Sequence, residues 1–247
     1  MELLAKLQAF RQAAYNYLGK AHDATFELTD AVLLTRNAYS LADLSLSPVF
    51  RRRWSSIYEA LQDSRPQRQK LMKLYLEQMA SSVRPILAGD HTIWPRPEAV
   101  TLQERTIEHQ ATTVPGNRPI GLGQGYSTIA WIPEQSGSWA LPLRHERITS
   151  WENPIEKGAW QLQQVCSVLS VRPISVWDSE YGCAPFEPQR SWRISKPLWL
   201  AWLGEQMPPV SEVWQLYLRR FAVDHWYRFA KQRLHWTLPK LSSPRAV

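Results

Sequence analysis

The 247-residue chain has only two cysteines, Cys166 and Cys183. They stand too far apart for a Cys-x-x-Cys metal knuckle and are too few for a disulfide scaffold, so a reducing compartment suits the chain. Long apolar runs are also missing. Ala31–Leu34 and Leu198–Leu203 fall far short of the roughly 20 residues that a bilayer-spanning helix needs. The amino terminus, Met-Glu-Leu-Leu-Ala-Lys, has a carboxylate at position 2 and lacks the uniform apolar stretch of a secretory signal. These absences predict a cytoplasmic protein with no membrane partner. No internal repeat or low-complexity segment is visible, so organisation has to be read from changes in periodicity.

What is present is 44% apolar residues, enough to build a core, and a formal charge of +7 that favours a polyanionic partner. The thirteen tryptophans suit stacking on bases or sugars, but packing in core and rim is their commoner use.

Residues 1–83 read as a helical domain and a candidate for DNA binding. Leu3, Leu7, Phe10, Ala14 and Tyr17 recur at helical spacing up to Gly19, and a second helix is expected from Asp23. Ser47-Pro48 reads as an N-cap and first turn ahead of Trp54, Ile57, Tyr58 and Leu61, and Pro66 opens a fourth helix. Arg51, Arg52, Arg53, Arg65, Arg68, Lys70 and Lys73 gather here against only Glu59 and Asp63. They form either a solvated face or a phosphate-contacting one.

Residues 84–186 change to β-type runs at Pro85–Asp90, Ser127–Ile132, Trp139–Leu143 and Arg172–Asp178. One helix, capped by Asn153-Pro154, carries Ile155, Ala159, Leu162, Cys166 and Leu169; Cys166 is thereby expected to be a buried core thiol rather than a nucleophile. Residues 187–209 form a Pro-rich junction. Ser211–His235 then reads as one helix without Gly or Pro, about 37 Å long at about 1.5 Å per residue. Residues 239–247 form a tail. The fold class expected is α/β, a mixed sheet with a helical N-terminal domain and a long C-terminal helix over 210–238.

On that last helix Tyr217, Arg220, Asp224, Arg228 and Lys231 share an arc of roughly 80° at about 100° per residue. Apolar residues flank the strip on both sides: Leu216, Val223, Tyr227, Ala230 and Leu234 on one, Trp214, Leu218 and Phe221 on the other. Such a strip suits the wall of a polar cleft. An ion-pair ladder of Asp224 with Arg220 and Arg228 explains the spacing equally well.

Tyr217-x-x-Arg220-x-x-x-Asp224, followed by Lys231, resembles the Tyr-Arg-Glu-Lys signature of a large group of bacterial insertion-sequence DDE transposases, with Asp in place of Glu. Ile86-Leu-Ala-Gly-Asp90 and Val176-Trp-Asp178-Ser-Glu-Tyr-Gly182 are similar to the strand segments that carry that group's other two acids. The resemblance covers most of residues 1–186 and 193–238. It implies a ribonuclease-H-like core in which Asp90 and Asp178 at strand ends, and Asp224 on a helix, are the catalytic metal ligands. Two Mg²⁺ (or Mn²⁺) ions are implied as cofactors, since hard cations take oxygen ligands. Tyr217, Arg220, Arg228 and Lys231, with Arg51, Arg52 and Arg53, would contact DNA. The implied partner is the double-stranded DNA of transposon ends, bound by a homodimer on the nucleoid.

Two departures stand out. Asp224 is one methylene shorter than the usual Glu. Only residues 179–223 separate Asp178 from Asp224, where relatives carry another core strand and a β-rich insertion, and relatives also continue where this sequence stops at Val247, soon after the helix. An internal deletion near Phe186–Arg193 is the expectation, with Lys196–Leu203 as the one candidate replacement strand. A non-catalytic DNA-binding remnant is therefore a second reading. A carbohydrate-active enzyme using Asp178 and Glu180 is a remote third, because two acids on one strand rarely face each other across a sugar.

Glu180 is expected at the surface, and His91 in a hydrogen-bonding role beside Asp90. Gly121-Leu-Gly123-Gln-Gly125 is expected to be a turn, since it lacks the Lys and helix of a phosphate loop. His145-Glu146-Arg147 should be a strand end with charges facing solvent or DNA.

Overall fold

The computed structural model describes residues 2–79, 84–114, 118–134, 137–178, 181, 202 and 206–236, with backbone alone over 108–114 and 118–120. Glu180, Cys183, the tail and most of the 187–209 junction, including all of Lys196–Leu203 except Trp202, lie outside the described residues.

Five helices come first: α1 (Glu2–Asn16), α2 (His22–Leu34), α3 (Leu41–Leu44), α4 (Ser55–Asp63) and α5 (Arg68–Leu76). Leu28, Ala31, Leu44, Phe50 and Ile57 form their shared core. The stripe on α1 engages only towards its C-terminal half. Leu3 and Leu7 are exposed, whereas the Phe10 ring meets Tyr75 edge-on. Ser47 is not the predicted cap. Ser40 caps α3 through a capping box with Asp43, residues after α3 turn repeatedly, and α4 begins at Ser55. The local Ser-Pro signal lost to the stronger reciprocal box seven residues earlier in the chain.

The sheet contains β1 (Ile86–Pro95), β2 (Thr106–Val114), β3 (Arg118–Trp131), β4 (Leu141–Ile148) and, after helix α6 (Pro154–Cys166), β5 (Ile174–Trp177). Its order is β2-β3-β1-β5, with β4 also on β3. β1 is antiparallel to β3 and parallel to β5, so the mixed α/β class holds. β2 was not visible in the sequence. The glycine segment 121–125 is no turn but part of β3, where a Cβ on Gly123 would meet the Trp94 carbonyl oxygen at 2.1 Å. That glycine serves close backbone approach between strands.

Alternation along β1 divides two layers. Ile86 and Ala88, with Ala130 and Ile132 of β3, pack against Ala222, Val223 and Tyr227 of the C-terminal helix. Leu87, with Ile129 and Leu143, packs on the opposite face with Val165 of α6 and with Met72 and Leu76 of α5. The last helix of the N-terminal region thus belongs to the sheet's core. On α6 the buried side is Gly158, Gln161 and Val165; Cys166 is only half-buried, contrary to expectation. Gln161 won the buried position because its amide bonds both the hydroxyl and the carbonyl of Ser127, at 2.6 and 3.1 Å.

The long helix forms as α7 (Val210–Arg219) and α8 (Phe221–Arg228), followed by a π-helical turn over Phe229–Arg233. Backbone dihedrals stay helical at Arg220, but Arg220 N–H bonds Tyr217 O and Val223 N–H bonds Arg220 O, at 3.0 and 2.9 Å. The helix tightens by one residue there.

Trp177 lies against two glycines. A Cβ on Gly89 would sit 2.1 Å from its ring, and one on Gly158 2.8 Å. Gly89→Ala is expected to destabilise the fold by about 1–3 kcal/mol through overpacking, with a smaller loss for Gly158→Ala. Urea unfolding of the two variants measures this ranking.

Candidate active site

Register and alternation place the acids before any side chain is considered. Gly89 pairs with Trp177 across the parallel β1–β5 ladder, so the next residues, Asp90 and Asp178, leave adjacent strands at one level. Asp90 follows Ala88, and Asp178 follows Val176, on the face covered by the C-terminal helix. Asp90 is not at a strand end as expected, because β1 continues to Pro95 by pairing with Gly123–Ser127 of β3.

Asp224 comes from the helix above them, and Arg220 lies among all three. One guanidinium nitrogen, Nη1, is 3.5 Å from Asp90 Oδ2 and 3.3 Å from Asp178 Oδ2. The other, Nη2, is 3.9 Å from Asp224 Oδ2. Side-chain exposure rises from 11% at Asp90 through 32% at Asp178 to 40% at Asp224, so the cluster opens to solvent on the helix side. Both readings of the helix strip merge here: Asp224 is paired with Arg220, and Asp224 lines a cleft.

Burial pushes the Asp90 carboxyl up to about 7, and the charges of Asp224 and Asp178 push the same way; Arg220 and the His91 N–H oppose the rise. That N–H donates to Asp90 Oδ1 at 2.8 Å, while the His91 ring meets Tyr181 edge-on. The Tyr227 hydroxyl is buried against the Asp90 carbonyl oxygen (3.1 Å) and Thr128 Oγ1 (2.8 Å). Periodicity had marked Tyr227 only as an apolar flank residue; a phenol rather than Phe at a core position was the available signal.

A cleft of about 460 Å³ opens beside the acids, lined by Asp90, His91, Thr92, Phe221, Asp224, His225, Tyr227, Arg228, Lys231 and Gln232. Lys231 Nζ donates to the Ile93 carbonyl at 3.0 Å and to Thr92 Oγ1. Arg228 is exposed at the cleft wall. Tyr217 is half-buried, stacked on Trp214 and 5.6 Å from the Arg220 guanidinium. Of the two apolar flanks, Val223, Tyr227 and Ala230 are buried, whereas Trp214, Leu218 and Phe221 remain about two-fifths exposed.

Two of the three N-terminal arginines are held in ion pairs. Arg51 pairs with Glu27 at 2.9 Å, and Arg52 with Glu27 and Asp23 at 3.4 and 3.7 Å; Arg53 is exposed. His145 does not face solvent. Its ring stacks on Tyr126 and meets Trp226, Nδ1 lies 2.8 Å from Thr128 Oγ1, and burial lowers its pKa to about 4. Glu146 pairs with Arg144 and Lys157. No group of three His, Cys, Asp or Glu side chains among the described residues is placed to share a metal ion. Nor is any described helix long and apolar enough to cross a membrane.

The model of the DDE superfamily endonuclease family matches residues 14–186. The chain belongs to that family. The match begins near the end of α1, takes in α2 to α6, the whole described sheet, Asp90 and Asp178, and stops before Asp224. No curated protein and no solved structure matches the chain.

Asp90 titrates at 3.8 ordinarily and near 7 in this fold, so between those values the folded chain holds more protons than the unfolded one. Stability therefore falls as pH rises through that window. In EDTA the melting temperature is expected to drop from about pH 5 to about pH 7.5, and Asp90→Asn should flatten the slope. An unchanged slope in the variant would assign the effect elsewhere.

Proposed function

We propose that the chain is a DDE-type transposase acting on transposon DNA ends by metal-dependent phosphoryl transfer, with Asp90, Asp178 and Asp224 as its acids. One observation carries this reading: three carboxylates from two adjacent strands and a facing helix converge on a single cation. The strand order, with β5 parallel to β1 after an intervening helix, supports a ribonuclease-H-like core, and family membership supports nuclease chemistry.

The donor set suits Mg²⁺ or Mn²⁺, because all three ligands are hard carboxylate oxygens already gathered about positive charge. When bound, two such ions activate a water or 3′-hydroxyl and stabilise the leaving oxygen at phosphorus. The chain's own residues orient the substrate. Arg228 and Lys231 stand on the cleft wall, where a phosphate backbone would lie between them and the acids. The exposed ring of Phe221 borders the same opening, with Tyr217 edge-on to it, and the two would pack against a terminal base. The partner proposed is duplex DNA held by a homodimer.

A second reading, a DNA-binding remnant without turnover, is favoured by the arginine that occupies the space among the acids. It is favoured also by the short Asp224.

Incubating purified protein with labelled duplex ends and Mg²⁺ or Mn²⁺ separates the readings. The enzyme reading expects nicking and joining that fall about 100-fold or more in Asp90→Asn, Asp178→Asn and Asp224→Asn, roughly 3 kcal/mol of barrier. Salt-sensitive DNA binding should persist in all three. Binding without cutting under any metal supports the remnant.

A further inference from the structure

Arg220 is 5% exposed, unlike the solvent-facing Arg228 on the same strip. Its guanidinium pairs with Asp90, Asp178 and Asp224 at 3.3–3.9 Å, and its Nε has no hydrogen-bond partner among the described residues. The Phe221 ring lies 4.9 Å away on the cleft side. A residue shaped only to grip DNA would end in solvent. This one ends where three carboxyl groups meet.

A divalent ion needs the same carboxylate oxygens at about 2.0–2.1 Å for Mg²⁺. The guanidinium nitrogen now within 3.5 Å of two of those acids would then be both a steric obstacle and a like charge in a pocket of reduced dielectric. We propose that Arg220 is the resident counter-ion of the acid cluster, holding the three carboxylates together in the ion-free chain and leaving the centre when divalent ions load. Loading is then an exchange of cations. It also orders events, because the freed planar fork becomes available to a DNA phosphate only after the acids have taken their ions. The inference rests on the proposed role of these acids as metal ligands.

Mn²⁺ binding to the full chain, followed by electron paramagnetic resonance and calorimetry, tests it in wild type, Arg220→Gln, Arg220→Lys and Asp90→Asn. Arg220→Gln should bind Mn²⁺ at least about tenfold tighter than wild type, about 1.4 kcal/mol, while melting at a lower temperature in EDTA. Arg220→Lys should fall between them. Tight binding that is lost in Asp90→Asn but unchanged or weaker in Arg220→Gln overturns the exchange and leaves the metal site standing. No Asp90-dependent binding in either background overturns both. Should the Arg220 variants not fold, hydrogen exchange at the Arg220 Nε–H in wild type decides. Exchange that is slow in EDTA and faster with saturating Mg²⁺ supports displacement, and exchange unaffected by Mg²⁺ refutes it.

Discussion

A buried guanidinium keeps its charge and is costly to desolvate without anions around it, and Arg220 draws those anions from three separate elements. Asp90 comes from β1, Asp178 from the end of β5, and Asp224 from the helix that carries Arg220 itself. Removing a partner from a buried ion pair costs about 3–5 kcal/mol, because the remaining charge stays desolvated. The cluster therefore pins the C-terminal helix to the sheet at one level and in one rotation. It also carries its own tension. Three acids face one cation, and burial, with the neighbouring charges of Asp224 and Asp178, raises Asp90 to about 7.

Small residues make that arrangement geometrically available. Ala88, Ala130 and Ala222 lie where helix and sheet meet, letting the helix approach closely enough for a short Asp224 to reach the cluster. On the reverse face Trp177 covers Gly89 and Gly158, which locks β5 beside β1 in the register that levels Asp90 with Asp178. The helix adapts where the load falls. Its hydrogen bonds shorten in span at Arg220 and widen into a π-turn over Phe229–Arg233, from which Lys231 reaches Thr92 and the Ile93 carbonyl on β1. Changes in helical winding of this kind concentrate at functional positions.

Much of this was legible from periodicity. The polar strip between two apolar flanks on 211–235 pointed to a cleft wall, and it lines one, although only the Val223–Tyr227–Ala230 flank is buried. The Asn153-Pro154 cap opened α6 as expected, with Asn153 accepting from the Ile155 N–H at 2.8 Å. Other signals failed for identifiable reasons. Gly121, Gly123 and Gly125 looked like turn residues because strand glycines are defined by what approaches them, here the Trp94 backbone. Cys166 is half-buried where a core thiol was expected, and the helix buries Gln161, whose amide is hydrogen-bonded to Ser127. His145 looked like a surface charge until Tyr126 and Trp226 enclosed it.

The chain by itself determined the helical start, the mixed sheet with its returning strand, and the identity and spacing of Tyr217, Arg220, Asp224 and Lys231, because propensity, capping and helical phase are local properties. It could not determine that Asp90 sits inside a strand, or that Arg220 turns inward onto the acids rather than outward to phosphate. Both depend on pairings between residues at least 28 positions apart: β1 with β3 extends the strand past Asp90, and β1 with β5 assembles the charge that recruits the guanidinium. A side chain's direction on a helix follows from phase, but what it meets there follows only from the tertiary fold.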